Sequence, residues 1–251
     1  MTMSLAIAAF ALAPGLAIGS FLNVVVARVP LRRSIVSPGS ACMTCTHELD
    51  WYDNIPLVSW LVLRGRCRSC GASIPVRYPA VELLTALLVA GCFWKFGLSG
   101  SAFVAAFFCI TLVAVSGTDV EHQVIPNRIV LPAAAIVLAA NTALHPSAEW
   151  ALGALGASGF LFAAALAYPK GMGMGDVKLA LLMGAALGRT VPVALMLGML
   201  GALGPGLYLL ARHGSAARKM RIPFGPFLAL GSVVALFWGH AILSAYWSIG
   251  H

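Results

Sequence analysis

Long apolar runs alternate with short polar segments along almost the whole chain. Measured against the ~20 residues that an α-helix needs to cross a hydrocarbon core, eight runs stand out, at 4–27, 80–97, 101–118, 128–143, 149–168, 176–188, 191–211 and 224–247. One polar stretch, 28–79, is long enough to fold outside a bilayer, and it concentrates Pro, Gly, Cys and charged residues. The pattern predicts an all-α polytopic membrane protein of about eight transmembrane helices: a first helix over 1–27, a small loop domain over 28–79, and a polytopic region over 80–251.

Composition supports lipid as the main solvent. The chain has 251 residues, 60% of them hydrophobic and 10% charged, with a mean hydropathy of +0.92. So much apolar surface does not fit inside one globular core. The net charge of +8 follows the edges of the apolar runs, and no interleaved aromatic and basic stripe accompanies it, so nucleic acid is not an expected partner. The first run has no basic residue before it, whereas Arg28, Arg32 and Arg33 follow it, the reverse of a cleavable signal peptide. A retained anchor with its N-terminus outside is expected.

Alternating from that start puts Arg28, Arg32, Arg33, Arg64, Arg66, Arg68, Arg77, Arg128, Lys170, Lys178, Arg212, Arg218, Lys219 and Arg221 inside. Lys95 and Arg189 are left outside, so fourteen of sixteen basic residues obey the positive-inside rule. The 28–79 loop is therefore expected in the cytoplasm, with anionic lipid contact as a by-product of the charge.

That loop contains Cys42-Met-Thr-Cys45 and Cys67-Arg-Ser-Cys70, two CxxC pairs separated by 21 residues. The spacing suits two knuckles that present four thiolates to one tetrahedral zinc. Reducing cytosol disfavours disulfides, and so short a segment has little core of its own, so a structural Zn²⁺ would supply folding energy. The alternatives are two redox dithiols or four free thiols. Cys92 and Cys109 lie in apolar runs and read as small buried hydrophobes. His47 reads as a solvated loop residue, because four thiolates already complete a tetrahedral site.

Acids at membrane boundaries are expensive and informative. Asp119 closes the third run in Ser116-Gly117-Thr118-Asp119, and Asp176 opens the sixth in Gly171-Met172-Gly173-Met174-Gly175-Asp176, both on the expected cytoplasmic side. Paired aspartates suit peptide hydrolysis, since an ionised carboxylate takes a proton from water while its protonated partner polarises the scissile carbonyl. Solvated helix-end acids are the plain alternative, as Asp is ordinary near a helix start. The dipoles of the two parent helices favour the anion at Asp176 and disfavour it at Asp119, placing the shared proton on Asp119. Gly173 and Gly175 would let the backbone approach a substrate strand, and Lys178 is a candidate supporting residue. Glu121 and His122 are expected to be simply hydrated.

These residues resemble the type IV prepilin peptidases, the GxGD membrane aspartyl proteases that often double as N-methyltransferases. The resemblance covers nearly the whole chain. It rests on Gly19-Ser20-Phe21-Leu22-Asn23-Val24-Val25, the tetracysteine loop, Asp53-Asn54-Ile55-Pro56, Arg64-Gly65-Arg66-Cys67, Arg77-Tyr78-Pro79 with Glu82, Asp119 followed by Ile125-Pro126-Asn127, and Gly173-Met174-Gly175-Asp176-Val177-Lys178. It implies an inner-membrane enzyme whose catalytic Asp119 and Asp176 cut leaders from type IV prepilin or pseudopilin precursors at the cytoplasmic face. It also implies methylation of the new N-terminus with S-adenosylmethionine, a second activity associated with the 28–79 loop. Asp53 and Glu82 are the acids that would attract a cationic cofactor or amine. Many family members have Glu where Asp53 stands, and Asn127 replaces a common Asp. From the residues alone, two other classes stay open: a proton- or cation-coupled transporter, marked by carboxylates near the midplane, and a catalytically silent assembly scaffold.

Overall fold

The computed structural model describes residues 2–168, 172–214 and 222–249. Lys170, Gly171, Arg218, Lys219 and Arg221 of the expected cytoplasmic face lie outside the described residues. Among the described residues the chain is helical, and the helices follow the apolar runs: α1 Thr2–Arg28, α2 Val58–Val62, α3 Arg77–Phe96, α4 Gly100–His122, α5 Asn127–Leu144, α6 Glu149–Ala167, α7 Met174–Leu187, α8 Val191–His213 and α9 Gly225–Ile249. Breakers end them where expected. Gly97 (φ 64°) and Gly188 (φ 51°) stop α3 and α7 in a conformation that side chains resist, and Pro126 precedes α5.

By length and apolarity the described residues form seven candidate spans, because 174–212 is one apolar run of 39 residues. At ~1.5 Å per residue a straight helix of that length would be about 58 Å long, far more than a bilayer core of ~30 Å. The run folds back at Gly188. Gly184 packs on Gly153, and a Cβ on Gly188 would lie 3.1 Å from Trp150, so α7 runs antiparallel to α6. Beyond the turn, a Cβ on Gly239 would lie 2.8 Å from Thr190 and one on Gly198 3.0 Å from Leu228, while Gly231 packs on Ala194. Hence α8 runs antiparallel to α9. Because α7 and α9 both start at the cavity described below, α7 and α8 run in opposite directions. The eight expected runs are thus eight separate helices among the described residues, seven candidate spans by length and apolarity with α7 and α8 sharing one run.

The chain divides into two compact units, Met1–Ala114 and Val115–His251. In the first, α1 packs against α3 through Gly15 and Gly19. A Cβ at these positions would lie 2.7 Å from Cα of Ala86 and 2.6 Å from Cα of Glu82. Two glycines four apart thus let helix backbones touch, as in other membrane helix pairs. Asn23 Nδ2 donates to the Tyr78 carbonyl (3.2 Å), which joins the end of α1 to the start of α3. Leu22 with Val113 and Ala114 seeds a small core flanked by Ile18, Val81, Leu88 and Ile110.

In the second unit, α7 is the most enclosed helix, with Val177, Leu179, Ala180, Leu182, Met183 and Ala185 buried. It is bracketed by α5, α6 and α9. Asn141 of α5 donates Nδ2–H to the Ala185 carbonyl (2.9 Å), and Glu149 pairs with Arg189 (2.7 Å).

Candidate functional site: a carboxylate cavity and a tetracysteine knuckle pair

Asp119 and Asp176 meet. α4 runs four residues beyond the expected end, so Asp119 lies in its last turn, while Asp176 lies in the first turn of α7. Together with Gln123, Val124, Ile125, Asn127, Gly173, Gly175 and Lys178 they line an open cavity of about 240 Å³. Asp119 is only 7% exposed, and its Oδ2 accepts the backbone N–H of Gly225 at 2.8 Å. Asp176 is half-buried.

The glycines of the GxGD stretch divide the work. Gly175 is where α7 presses on the chain entering α5: a Cβ there would lie 2.9 Å from Cβ of Ile125. Gly173 stands just before the helix in extended backbone (φ −83°, ψ 147°) and is uncrowded, with the Asp176 carboxylate beside it. Lys178 donates Nζ–H to Oδ1 of Asn127 (2.8 Å), which ties α7 to the start of α5 at the cavity wall. Nε2 of His122, in the last turn of α4, is buried and has no hydrogen-bond partner among the described residues. Sequence reasoning missed Gly225. The available signal was Ile222-Pro223-Phe224-Gly225-Pro226 at the start of the last apolar run.

The four loop cysteines also meet. Their sulfurs all lie within 4.8 Å of one another, with Cys42–Cys70 at 3.8 Å and Cys45–Cys67 at 4.0 Å. A zinc with ~2.3 Å bonds to four sulfurs requires sulfur separations of about 3.8 Å. The two CxxC segments are copies of one device. In the first, Cys42 N–H bonds to the His47 carbonyl (2.9 Å), Thr46 N–H to Cys42 (3.0 Å), and Thr46 turns at φ 57°. In the second, Cys67 N–H bonds to the Ala72 carbonyl (2.8 Å), Gly71 N–H to Cys67 (2.9 Å), and Gly71 turns at φ 71°. Each closes with a single antiparallel bridge, Ala41 to Glu48 and Arg66 to Ser73. The amides of Cys45 and Thr44 hold the Cys42 thiol down at about 6, favouring the thiolate that a metal requires. His47 is exposed and outside the sulfur cluster.

Asp53 and Glu82 do not share a site. Asp53 is bidentate to Arg68, with Oδ1 2.7 Å from Nη2 and Oδ2 2.9 Å from Nε. Glu82, buried in α3, accepts the N–H of Leu57 at 2.8 Å, and Leu57 is itself turned to φ 60°. Both acids therefore hold down the segment between the two knuckles, Asp53 to the second knuckle and Glu82 to α3.

Helices of membrane-spanning length, with two acids from separate helices facing one cavity and a tetracysteine domain inserted after the first helix, define a polytopic membrane protein built as an intramembrane aspartyl protease would be. Residues 14–96 match the Bacterial Peptidase A24 N-terminal domain, and residues 106–207 match the Type IV leader peptidase family. The chain is 39% identical to a Prepilin leader peptidase/N-methyltransferase of Bacillus subtilis, over 92% of this chain and 94% of that protein. It is 37% identical to a protein of the same name from Stutzerimonas stutzeri (94% and 92%) and 38% identical to one from Pseudomonas aeruginosa (92% and 90%). No solved structure matches. The chain belongs to the type IV leader peptidase family.

Proposed function

We propose that this protein cleaves the leader from type IV prepilin-like precursors at the cytoplasmic face of the bacterial inner membrane, with Asp119 and Asp176 as the catalytic pair, and then methylates the new N-terminus. The observation that carries the peptidase reading is the convergence of those two acids, 57 positions apart, on one cavity. In the reaction the ionised carboxylate takes a proton from water, whose oxygen bonds to the scissile carbonyl carbon. The protonated carboxyl gives its proton to the carbonyl oxygen. When the C–N bond breaks, the leaving amine takes the proton collected from water, a hydroxyl of the tetrahedral carbon returns a proton to the other carboxylate as the carbonyl re-forms, and the pair again shares one proton. The Lys178–Asn127 tie supports the wall on which Asp176 stands, and Gly173 and Gly175 keep that wall thin.

The sulfur separations fit a structural zinc held by Cys42, Cys45, Cys67 and Cys70. With four protein ligands it has no open position for chemistry. The names of the relatives support methyl transfer, and S-adenosylmethionine would be the donor. Asp53 and Glu82 are the acids we propose for attracting a cation, each of which would first release its present partner, Arg68 or the Leu57 amide. The 28–79 loop is proposed as the methyl-transfer segment and 80–251 as the peptidase region.

The test is cleavage of a prepilin-like precursor by the full chain in liposomes, followed by mass spectrometry. Asp119→Ala and Asp176→Ala should each lower the rate by about 10²–10⁴-fold with unchanged thermal unfolding. Cleavage retained by both variants would remove the dyad. A further mass gain of one methyl group with S-adenosylmethionine is expected for wild type.

A further inference from the structure

The buried Asp119 carboxylate takes its hydrogen bond from a distant part of the chain. The donor, the N–H of Gly225, is 106 positions further on, at 2.8 Å from Oδ2, and Gly225 is the first residue of α9. It is one of the amides that a helix leaves without an internal acceptor, and the aligned peptides of α9 add partial positive charge behind it. Only glycine permits the approach. A Cβ at 225 would lie 2.8 Å from Oδ2, 3.3 Å from Cγ and 3.4 Å from Cβ of Asp119.

The dipole of α4 alone argues for a neutral Asp119, but it acts through the end of a helix, whereas the amide of α9 is in direct hydrogen-bond contact. The cavity that Asp119 lines is also lined by Asp176 and Lys178 from α7 and by Gln123 and Asn127. Lys178 is engaged by Asn127, and Glu121 and His122 share the last turn of α4.

We propose that Gly225 is a positioning residue for peptide hydrolysis: its amide holds Asp119 as the ionised, water-activating member of the pair, and its missing side chain leaves the space that carboxylate occupies. With Oδ2 committed to the amide, Oδ1 takes the proton from water and returns it to the leaving amine, and Asp176 carries the proton given to the carbonyl oxygen. The inference rests on the reading of Asp119 and Asp176 as the catalytic pair.

Gly225→Ala tests it in the full chain in liposomes. The added methyl displaces the carboxylate, so kcat should fall at least about tenfold while KM stays within about twofold, the signature of an interaction used in the transition state. Gly239→Ala is the control. Its Cβ would lie 2.8 Å from Cβ of Thr190, so it disturbs the packing of α9 on the start of α8 about 21 Å along the helix from Gly225 and should leave kcat near wild type. Should Gly225→Ala not fold, glycolic acid incorporated at 225 replaces the amide by an ester with no added bulk, and the same loss of kcat is expected. Wild-type kcat in Gly225→Ala or the ester, or an equal loss in Gly239→Ala, would overturn the proposal. Cleavage retained by Asp119→Ala would instead remove the dyad on which it stands.

Discussion

Arg68 lies between the two cysteines of the second knuckle, yet the Nε–Nη2 edge of its guanidinium is turned to Asp53, and its charge sits 5.4 Å from the Tyr52 ring centre. The guanidinium holds the Asp53 carboxyl below the usual carboxylate range. A group whose pKa is lowered on folding contributes stability above its unfolded value and loses that contribution as the pH falls through the folded one. The tie should therefore be intact at neutral pH, and its contribution should fade progressively as the pH drops from about 4 down through the lowered folded value. Asp53→Asn should remove it at every pH. Limited proteolysis within 50–57 is expected to be slow in wild type at pH 7 and fast in the variant, and equal rates would show that the pair does not hold the loop.

At the level of helices, apolar run length located every long element to within a few residues, because lipid leaves a backbone no choice but to satisfy its own hydrogen bonds. The contacts that join elements were less legible. Gly15 and Gly19 bring α1 onto Ala86 and Glu82 of α3, but nothing in the local pattern names the partner helix. The equivalence of the two knuckles was hidden because Thr46 and Gly71 share a backbone conformation and not a side chain. Asp119 and Asp176 were legible because acids are rare at the ends of apolar runs. Gly225 was not, because its meaning depends on a contact 106 positions away. Gly19→Ala should force the α1–α3 backbones apart and cost about 1–3 kcal/mol, read as a lower unfolding temperature in detergent. The uncrowded Gly204 should accept Ala without such a loss.

For the whole protein, the four sulfurs and the membrane helices rest on different forces. Chelation should unfold the segment around 40–73, which has few buried side chains, while the far-ultraviolet helical signal of the spans persists. Metal content by mass spectrometry should fall from about one zinc per chain to none, and a segment that stays protease-resistant without metal would count against a structural zinc. The turn at Gly188 has a consequence of another kind. It limits α7 to 14 residues, a rise of about 21 Å, some 9 Å short of the hydrocarbon thickness of an ordinary bilayer. With the Glu149–Arg189 pair at one membrane surface, Asp176 and the Asp119 that shares its cavity lie below the opposite surface of an ordinary bilayer unless the lipid thins around α7. Hydrophobic mismatch at α7 should then make turnover depend on acyl-chain length, rising as liposomes are made from shorter lipids: the bilayer bends to bring water and a scissile bond down to the acids.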